Sequence, residues 1–178
     1  MTTRVIMAGF GGQGVVLMGT LLSYSAMVQG KHTTFFPSYG AEMRGGTANC
    51  SVIVSDNEIP SPVVNEPDCV IAMNIASLDK FESQVKPGGT LFVNSSLVKK
   101  KATRDDIEEI RVPANEIAEE LGAAKAANMV MLGCVLRKTG AVALDSAVKS
   151  LEKVLSERAM ALLEVNKKAL QRGFEEVS

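Results

Sequence analysis

The sequence predicts a layered α/β fold in which helices cover a parallel or mixed sheet. Strand-type and helix-type segments alternate over the first two thirds of the chain, and a glycine cluster stands between a short apolar run and a helix-type segment. An alternation of apolar and polar residues over Thr47 to Val54, broken only by Ile53 on the polar face, adds a half-buried strand, the kind that pairs antiparallel.

Arg4 to Ala8 is a short apolar run that reads as a buried parallel strand. Gly9 to Gly14 turns the chain. Val15 to about Gln29 favours helix, with apolar positions at Leu17, Met18, Leu21, Leu22 and Met27 and a stop at Gly30. His32 to Phe36 is a second strand, which Pro37 is expected to end. Ser38 to Gly46 is a polar loop. In the alternating strand Ala48, Cys50, Val52 and Val54 share one face, and its partner is expected across an Asp56-Asn57 turn. Pro60, Pro62 and Pro67 mark a loop before a buried strand at Cys69 to Met73. A short helix at Ser77 to Val85 and the turn Pro87-Gly88-Gly89 lead to a strand at Thr90 to Val93, with a last strand at Ile110 to Val112. Helices follow at about Ala114 to Leu121, Ala126 to Lys138, Asp145 to Leu155 and Arg158 to Gln171. Gly122, Gly140 and Gly173 stand where glycines close helices.

Bulk properties narrow the function. With 178 residues and no linker or repeat, residues 1–178 are expected to form a single domain. A formal charge of −1 supplies no basic surface for nucleic acid or an anionic membrane, and the absence of Trp removes stacking platforms. Met1-Thr2-Thr3-Arg4 leads into a strand rather than a long apolar segment with a cleavage site, so a cytoplasmic location is expected. Cys50, Cys69 and Cys134 show no CxxC spacing, which predicts buried thiols and no metal or cluster held by this chain.

Gly9, Gly11 and Gly14 spell G-x-G-x-x-G between strand and helix, a setting in which backbone N–H groups at a helix start face a phosphate. Gly9, Gly11, Gly12, Gln13 and Gly14 are therefore the candidate cofactor-binding residues, with Gly9 serving the tight turn and the Gln13 amide facing a ligand. The same pattern also suits a turn that holds nothing. No acid closes the second strand, Thr33-Thr34-Phe35-Phe36-Pro37-Ser38, where a nicotinamide dehydrogenase needs one for the ribose. In the polar loop, Ser38, Tyr39, Glu42 and Arg44 are candidates for an interface or an anion contact, and Arg44 can clamp a carboxylate or phosphate. A solvated Glu42–Arg44 pair is the alternative. Asn94, at a strand end, is a further candidate. His32 reads as structural, the acidic run Asp105, Asp106, Glu108, Glu109 as a solvated face, and Met129, Met131 and Leu132 as core or interface. No residue is assigned to bond making.

Two longer motifs carry a resemblance. Gly9-Phe10-Gly11-Gly12-Gln13-Gly14-Val15, followed by Phe36-Pro37-Ser38-Tyr39-Gly40-Ala41-Glu42-Met43-Arg44-Gly45-Gly46-Thr47-Ala48, resembles the gamma subunit, or gamma domain, of 2-oxoacid:ferredoxin oxidoreductases. Pro67-Asp68, Ala72-Met73-Asn74, Lys86-Pro87-Gly88-Gly89, Val93-Asn94-Ser95-Ser96 and the trio Asn166, Ala169 and Gly173 continue it over nearly the whole chain. The resemblance implies a three-layer α/β/α Rossmann-like variant with a mixed sheet, and a subunit inactive alone. It implies coenzyme A near the glycine turn, with thiamine diphosphate and iron–sulfur clusters on partner subunits only. The implied partners are alpha and beta thiamine-binding subunits and a ferredoxin-like subunit, with ferredoxin as electron acceptor. Tyr39 to Cys50 is most similar to 2-oxoglutarate-type members, while pyruvate-, ketoisovalerate- and indolepyruvate-type relatives share the motif. Readings of other classes are a nicotinamide reductase, a ligand sensor, and an interaction subunit whose glycine turn is empty.

Overall fold

A computed structural model describes residues 1–39 and 47–177. Six strands form one sheet: β1 (Thr2–Phe10), β2 (His32–Tyr39), β3 (Thr47–Ser55), β4 (Cys69–Ala72), β5 (Thr90–Asn94) and β6 (Glu108–Val112), in the order β2-β3-β1-β4-β5-β6. β1, β4, β5 and β6 run parallel, while β3 lies antiparallel to both β1 and β2. The sheet is mixed, as the resemblance implies.

Helices cover both faces. α1 (Val15–Val28), α3 (Ala114–Glu120), α4 (Ala127–Thr139), α5 (Leu144–Val154) and α6 (Leu163–Glu176) build the larger core against Val5, Met7, Val52, Ile71 and Phe92. α2 (Ile75–Phe81) sends Leu78 and Phe81 to the other face, against Ile6, Ala8, Val70, Leu91 and Val93. Successive strand residues point to opposite faces, so β1, β4 and β5 feed both cores in turn. This is why β4 and β5 are apolar without interruption: every residue of both is buried. No helix among the described residues is long and apolar enough to cross a membrane.

Several expectations change in detail. β3 is half-buried and antiparallel, but no hairpin forms across Asp56-Asn57; its partners are β1 and β2. Alternation reports one covered face and says nothing about which strand covers the edge. The Asp56-Asn57 turn instead ends β3, where Asn57 N–H donates to Ser55 Oγ at 3.1 Å. β2 runs on through Pro37 to Tyr39. It is an edge strand, and a proline without a ladder donor is tolerated there. α2 starts at Ile75, ahead of Ser77, because the Asn74 side chain caps it, accepting from Ser77 N–H at 2.8 Å. The expected helix from Arg158 begins as a 3-10 turn over Glu157–Leu162, in which no residue is buried, and becomes α-helical only at Leu163. Of the acidic run, Glu108 and Glu109 open β6, where Glu108 is exposed and Glu109 is paired to Arg111 at 2.6 Å.

Gly122 and Gly140 close their helices with φ of +75° and +59°. Gly173 does not; it lies inside α6, which continues to Glu176. A Cβ on Gly173 would sit 1.9 Å from the Val130 carbonyl oxygen, and one on Gly133 would sit 2.2 Å from that of Leu170. The backbones of α4 and α6 therefore touch. α4 is buried from Ala127 through Leu136, including Met129, Met131 and Leu132 at 0% exposure. Gly173→Ala is expected to lower unfolding stability by about 2–3 kcal/mol through overpacking, because the obstructing atoms are backbone and cannot rotate away. Gly140→Ala, strained in φ but facing open space, is expected to cost about 1 kcal/mol. Urea unfolding midpoints that fall equally for both variants would refute the close helix contact.

Candidate functional site

The candidate site lies where β1 meets α1. β1 ends at Phe10, the chain turns over residues 11–14, and α1 begins at Val15 with Gly14 as its cap. Gly12 has φ +93° and Gly14 φ +72°, the left-handed region where side chains other than glycine's are strained. Gln13 N–H closes the turn on Phe10 O at 3.1 Å. Gly11 and Gly12 are exposed, and a Cβ on Gly12 would meet nothing within 4 Å, so a ligand can approach this backbone. Gly9 has another task than the one expected. It lies within β1, where a Cβ would fall 2.7 Å from Gln13 Oε1 and 3.0 Å from Met73 Cβ. Its smallness lets these two residues close over the strand end.

Gln13 also differs from expectation. Its Oε1 accepts from Phe10 N–H at 2.7 Å and from Asn74 Nδ2 at 3.1 Å, and its Nε2 donates to Met73 O at 3.4 Å. Both carbonyl lone pairs and one amide hydrogen are thus spent inside the fold. The side chain ties the end of β1 to the residues that follow β4. This is also where the chain's path diverges: β1 leads through α1 to β2 and β3 on one side, and β4 leads through α2 to β5 and β6 on the other. Ligands of open α/β sheets settle in the crevice at such a divergence.

The groups left for a ligand are backbone amides. The first helical bond of α1 is Met18 N–H to Gly14 O at 3.1 Å, so the N–H groups of Val15, Val16 and Leu17 precede any intrahelical partner. No acidic side chain lies in the first turn of α1, leaving the positive end of the helix dipole uncompensated there. From the far side Asn128 of α4 donates through Nδ2 to Gly14 O at 3.2 Å. A Cβ on Gly14 would fall 2.2 Å from that nitrogen. Glycine at position 14 is thus required twice, by φ and by contact.

The remaining candidates divide. Ser38 and Tyr39 end β2 opposite Asn49 and Ala48, and Ala48 also pairs with Gly9. The polar loop therefore leaves the same edge of the sheet as the glycine turn, and Ser38 is exposed there. Glu42 and Arg44 lie outside the described residues. Asn94 is not brought to the turn. It is fully buried two strands away, where its Nδ2 donates to Asn115 Oδ1 at 2.8 Å and its carbonyl accepts from the N–H groups of Leu97 and Val98. It lies at the same end of the sheet as Gly9, level with it across β4, but buried at the corner between β5 and α3. Asn74 and Asn128 were not singled out in the sequence. Asn128, a polar residue inside the apolar run Ala126 to Leu136, carried a usable signal, since a buried amide is retained only for a partner.

Of the titrating groups, Lys125 lies near Gly12 and Gly14, where all three line one cavity, and the Cys50 thiol donates to Val15 O at 3.4 Å. Cys50, Cys69 and Cys134 are buried, and burial pushes each thiol up to about 12, so all three stay protonated at neutral pH. His32 opens β2 at the opposite end of the sheet. Among the described residues no cluster of three or more His, Cys, Asp or Glu side chains is placed to hold a metal ion.

The chain is similar to proteins of one family along nearly its whole length. The family model described as pyruvate ferredoxin/flavodoxin oxidoreductase matches residues 4–176. Ketoisovalerate oxidoreductase subunit VorA of Methanothermobacter marburgensis is 38% identical over 171 residues, covering 96% of this chain and 35% of the relative. The chain thus spans about a third of the length of that relative. The 2-oxoglutarate synthase subunit KorC of the same organism is 38% identical over 159 residues, covering 85% of this chain and 86% of the relative. The crystal structure of a keto/oxoacid ferredoxin oxidoreductase gamma subunit from Geobacter sulfurreducens superposes with a TM-score of 0.84 at 32% identity, covering 98% of this chain and 97% of that one.

The bracing role of Gln13 has a measurable consequence. Gln13→Ala removes the acceptor for Phe10 N–H and Asn74 Nδ2, so it is expected to cost about 1–2 kcal/mol of stability. Faster hydrogen exchange should be confined to the Phe10 amide and its neighbours in the turn. Unchanged exchange at Phe10 would show that Gln13 does not hold the turn.

Proposed function

The chain belongs to the pyruvate ferredoxin/flavodoxin oxidoreductase family, as a gamma-type member of the 2-oxoacid:ferredoxin oxidoreductases, and from this premise we propose that its glycine turn seats the phosphates of coenzyme A. The observation that carries the proposal is the uncapped start of α1. Three N–H groups and an uncompensated dipole face an open turn at the divergence point of the sheet. The pyrophosphate of an acyl carrier has the charge and size that such an end favours, whereas a bare carboxylate would use only part of it.

In this reading the chain works as one part of an assembly. Thiamine-bearing alpha and beta subunits form an acyl group by decarboxylating a 2-oxoacid, electrons pass through iron–sulfur clusters of a ferredoxin-like subunit to ferredoxin, and this subunit presents the thiol of coenzyme A. The Ser38–Gly46 loop, which starts beside the glycine turn, would dock on those partners, with Arg44 steering an anion or fixing the interface. The chain contributes binding and orientation and no bond-making residue, and the assembly works in the cytoplasm.

The 2-oxoacid is 2-oxoglutarate in this proposal, supported by the motif from Tyr39 to Cys50 and by the KorC relative, most of whose length the chain covers. A ketoisovalerate-type enzyme is the second reading, favoured by the equal 38% identity to VorA. Mixing the chain with purified thiamine-bearing and ferredoxin-like subunits should reconstitute CoA-dependent reduction of a low-potential acceptor, faster with 2-oxoglutarate than with ketoisovalerate. Gly12→Ala places a methyl group in the open approach to the turn. It is expected to raise KM for coenzyme A about tenfold while changing kcat less. Faster turnover of ketoisovalerate would replace the substrate assignment, and an unchanged KM in a folded variant would remove the glycine turn from coenzyme A binding.

A further inference from the structure

Next to the glycine turn, on the α4 side, lies a cavity of about 290 Å³. Gly12 and Gly14 close one end; Leu17 of α1, Ala126, Ala159 and Leu162 form apolar walls. The volume is at the lower end for ligand sites, enough for part of a cofactor rather than the whole of one. The cavity is not uniformly apolar, because Asn128, Asn166 and the cationic Lys125 also line it. Asn128 is 3% exposed, and its Oδ1 is buried with no hydrogen-bond partner. Its orientation is fixed: Nδ2 must face Gly14 O, a carbonyl that can only accept, so the free atom is the acceptor. An orphaned buried acceptor is costly, and its cost is recovered only by a donor. A charged donor suits the apolar walls poorly, whereas an uncharged N–H on an apolar body suits both walls and acceptor.

We propose that this cavity, closed by the glycine turn and Asn128, binds an uncharged, N–H-bearing group carried on a phosphate ester, its N–H donating to Asn128 Oδ1. The inference rests on the seating of phosphates at the α1 start, since the cavity shares Gly12 and Gly14 with that turn. Two portions of coenzyme A have the required chemistry: the exocyclic amine of its base and the amides of its thiol-bearing arm. Asn128 then has two duties. Through Nδ2 it holds the turn in the shape that receives the phosphates, and through Oδ1 it selects what is attached to them.

Calorimetry on the full chain tests this with three probes: inorganic pyrophosphate, ADP and 4′-phosphopantetheine. At least one of the two organic probes should bind about tenfold more tightly than pyrophosphate, the worth of one buried hydrogen bond and modest apolar burial, and the tighter one identifies the group. Asn128→Ala should remove that advantage. Because it also loosens the turn, Ala159→Phe serves as a second variant: it fills the cavity from the 3-10 turn over Glu157–Leu162, outside the glycine turn. It should abolish the advantage and leave pyrophosphate affinity unchanged. If pyrophosphate binds but neither organic probe gains over it, or if the gain survives Ala159→Phe, the cavity inference is overturned and the phosphate seat stands. If none of the three probes binds, the phosphate seat fails and the inference falls with it.

Discussion

At the edge of the sheet three stretches of backbone meet, the end of β1, the glycine turn and the residues following β4, joined by backbone bonds from Met73 N–H to Ala8 O and from Gln13 N–H to Phe10 O. The Gln13 side chain bridges all three, accepting from Phe10 N–H and Asn74 Nδ2 and donating to Met73 O. Asn74 in turn caps α2, and its oxygen is committed to Ser77 N–H. The two helices that leave this edge for opposite faces of the sheet, α1 and α2, are thereby referred to one another through a pair of amides. Gly9 makes the junction sterically feasible, since any larger residue would occupy the space of Gln13 and Met73. The arrangement of the candidate site follows from this: the turn is fixed by side chains behind it, and its front is bare backbone.

The other support comes from the C-terminal half. Asn128 reaches Gly14 from α4, and α4 is set in place by its backbone contact with α6 at Gly133 and Gly173. Side-chain packing alone would let two apolar helices slide against each other; direct contact between backbones removes that freedom by sterics. The helical pair thus carries the precision of its own packing to the mouth of α1. A segment distant in sequence fixes the turn as firmly as the strand that precedes it.

Much of this was legible in the sequence, for identifiable reasons. The apolar runs at Cys69 to Met73 and Thr90 to Val93 and the alternation from Thr47 to Val54 are direct imprints of burial on two faces or one, and all three strands form there, each within one residue at its C-terminal end. The glycine turn was legible because positive φ is nearly exclusive to glycine, and Gly12 and Gly14 use it. Pairing was less legible: β3 shows one covered face but nothing in it identifies β1 and β2 as neighbours. Gly173 reads as a helix stop from one side of the chain, and only the opposing helix shows that it is a contact. The bonds of Gln13 are hidden in the sequence for a similar reason. Its amide has the chemistry to meet a ligand, and only the position of Asn74, sixty-one residues away, shows that it is already engaged.

That engagement bears on how the edge can discriminate between ligands. Backbone N–H groups at a helix start attract negative charge with little regard for what bears it. The Gln13 carbonyl is spent inside the fold, so the amide keeps one N–H and no acceptor for a ligand at the turn. Within the turn itself recognition is therefore of charge. Selectivity has to come from surfaces adjoining the turn, and these are of two kinds: the aliphatic cavity on the α4 side, where Asn128 offers a single unpaired acceptor, and the edge of β1, β2 and β3, from which the polar loop departs. A division of this kind suits a subunit whose ligand must also reach a reacting center elsewhere. In the proposed reading, strong but unselective attachment at phosphates would tolerate small movements of the remainder, with the selective contacts at a distance from the charge they complement.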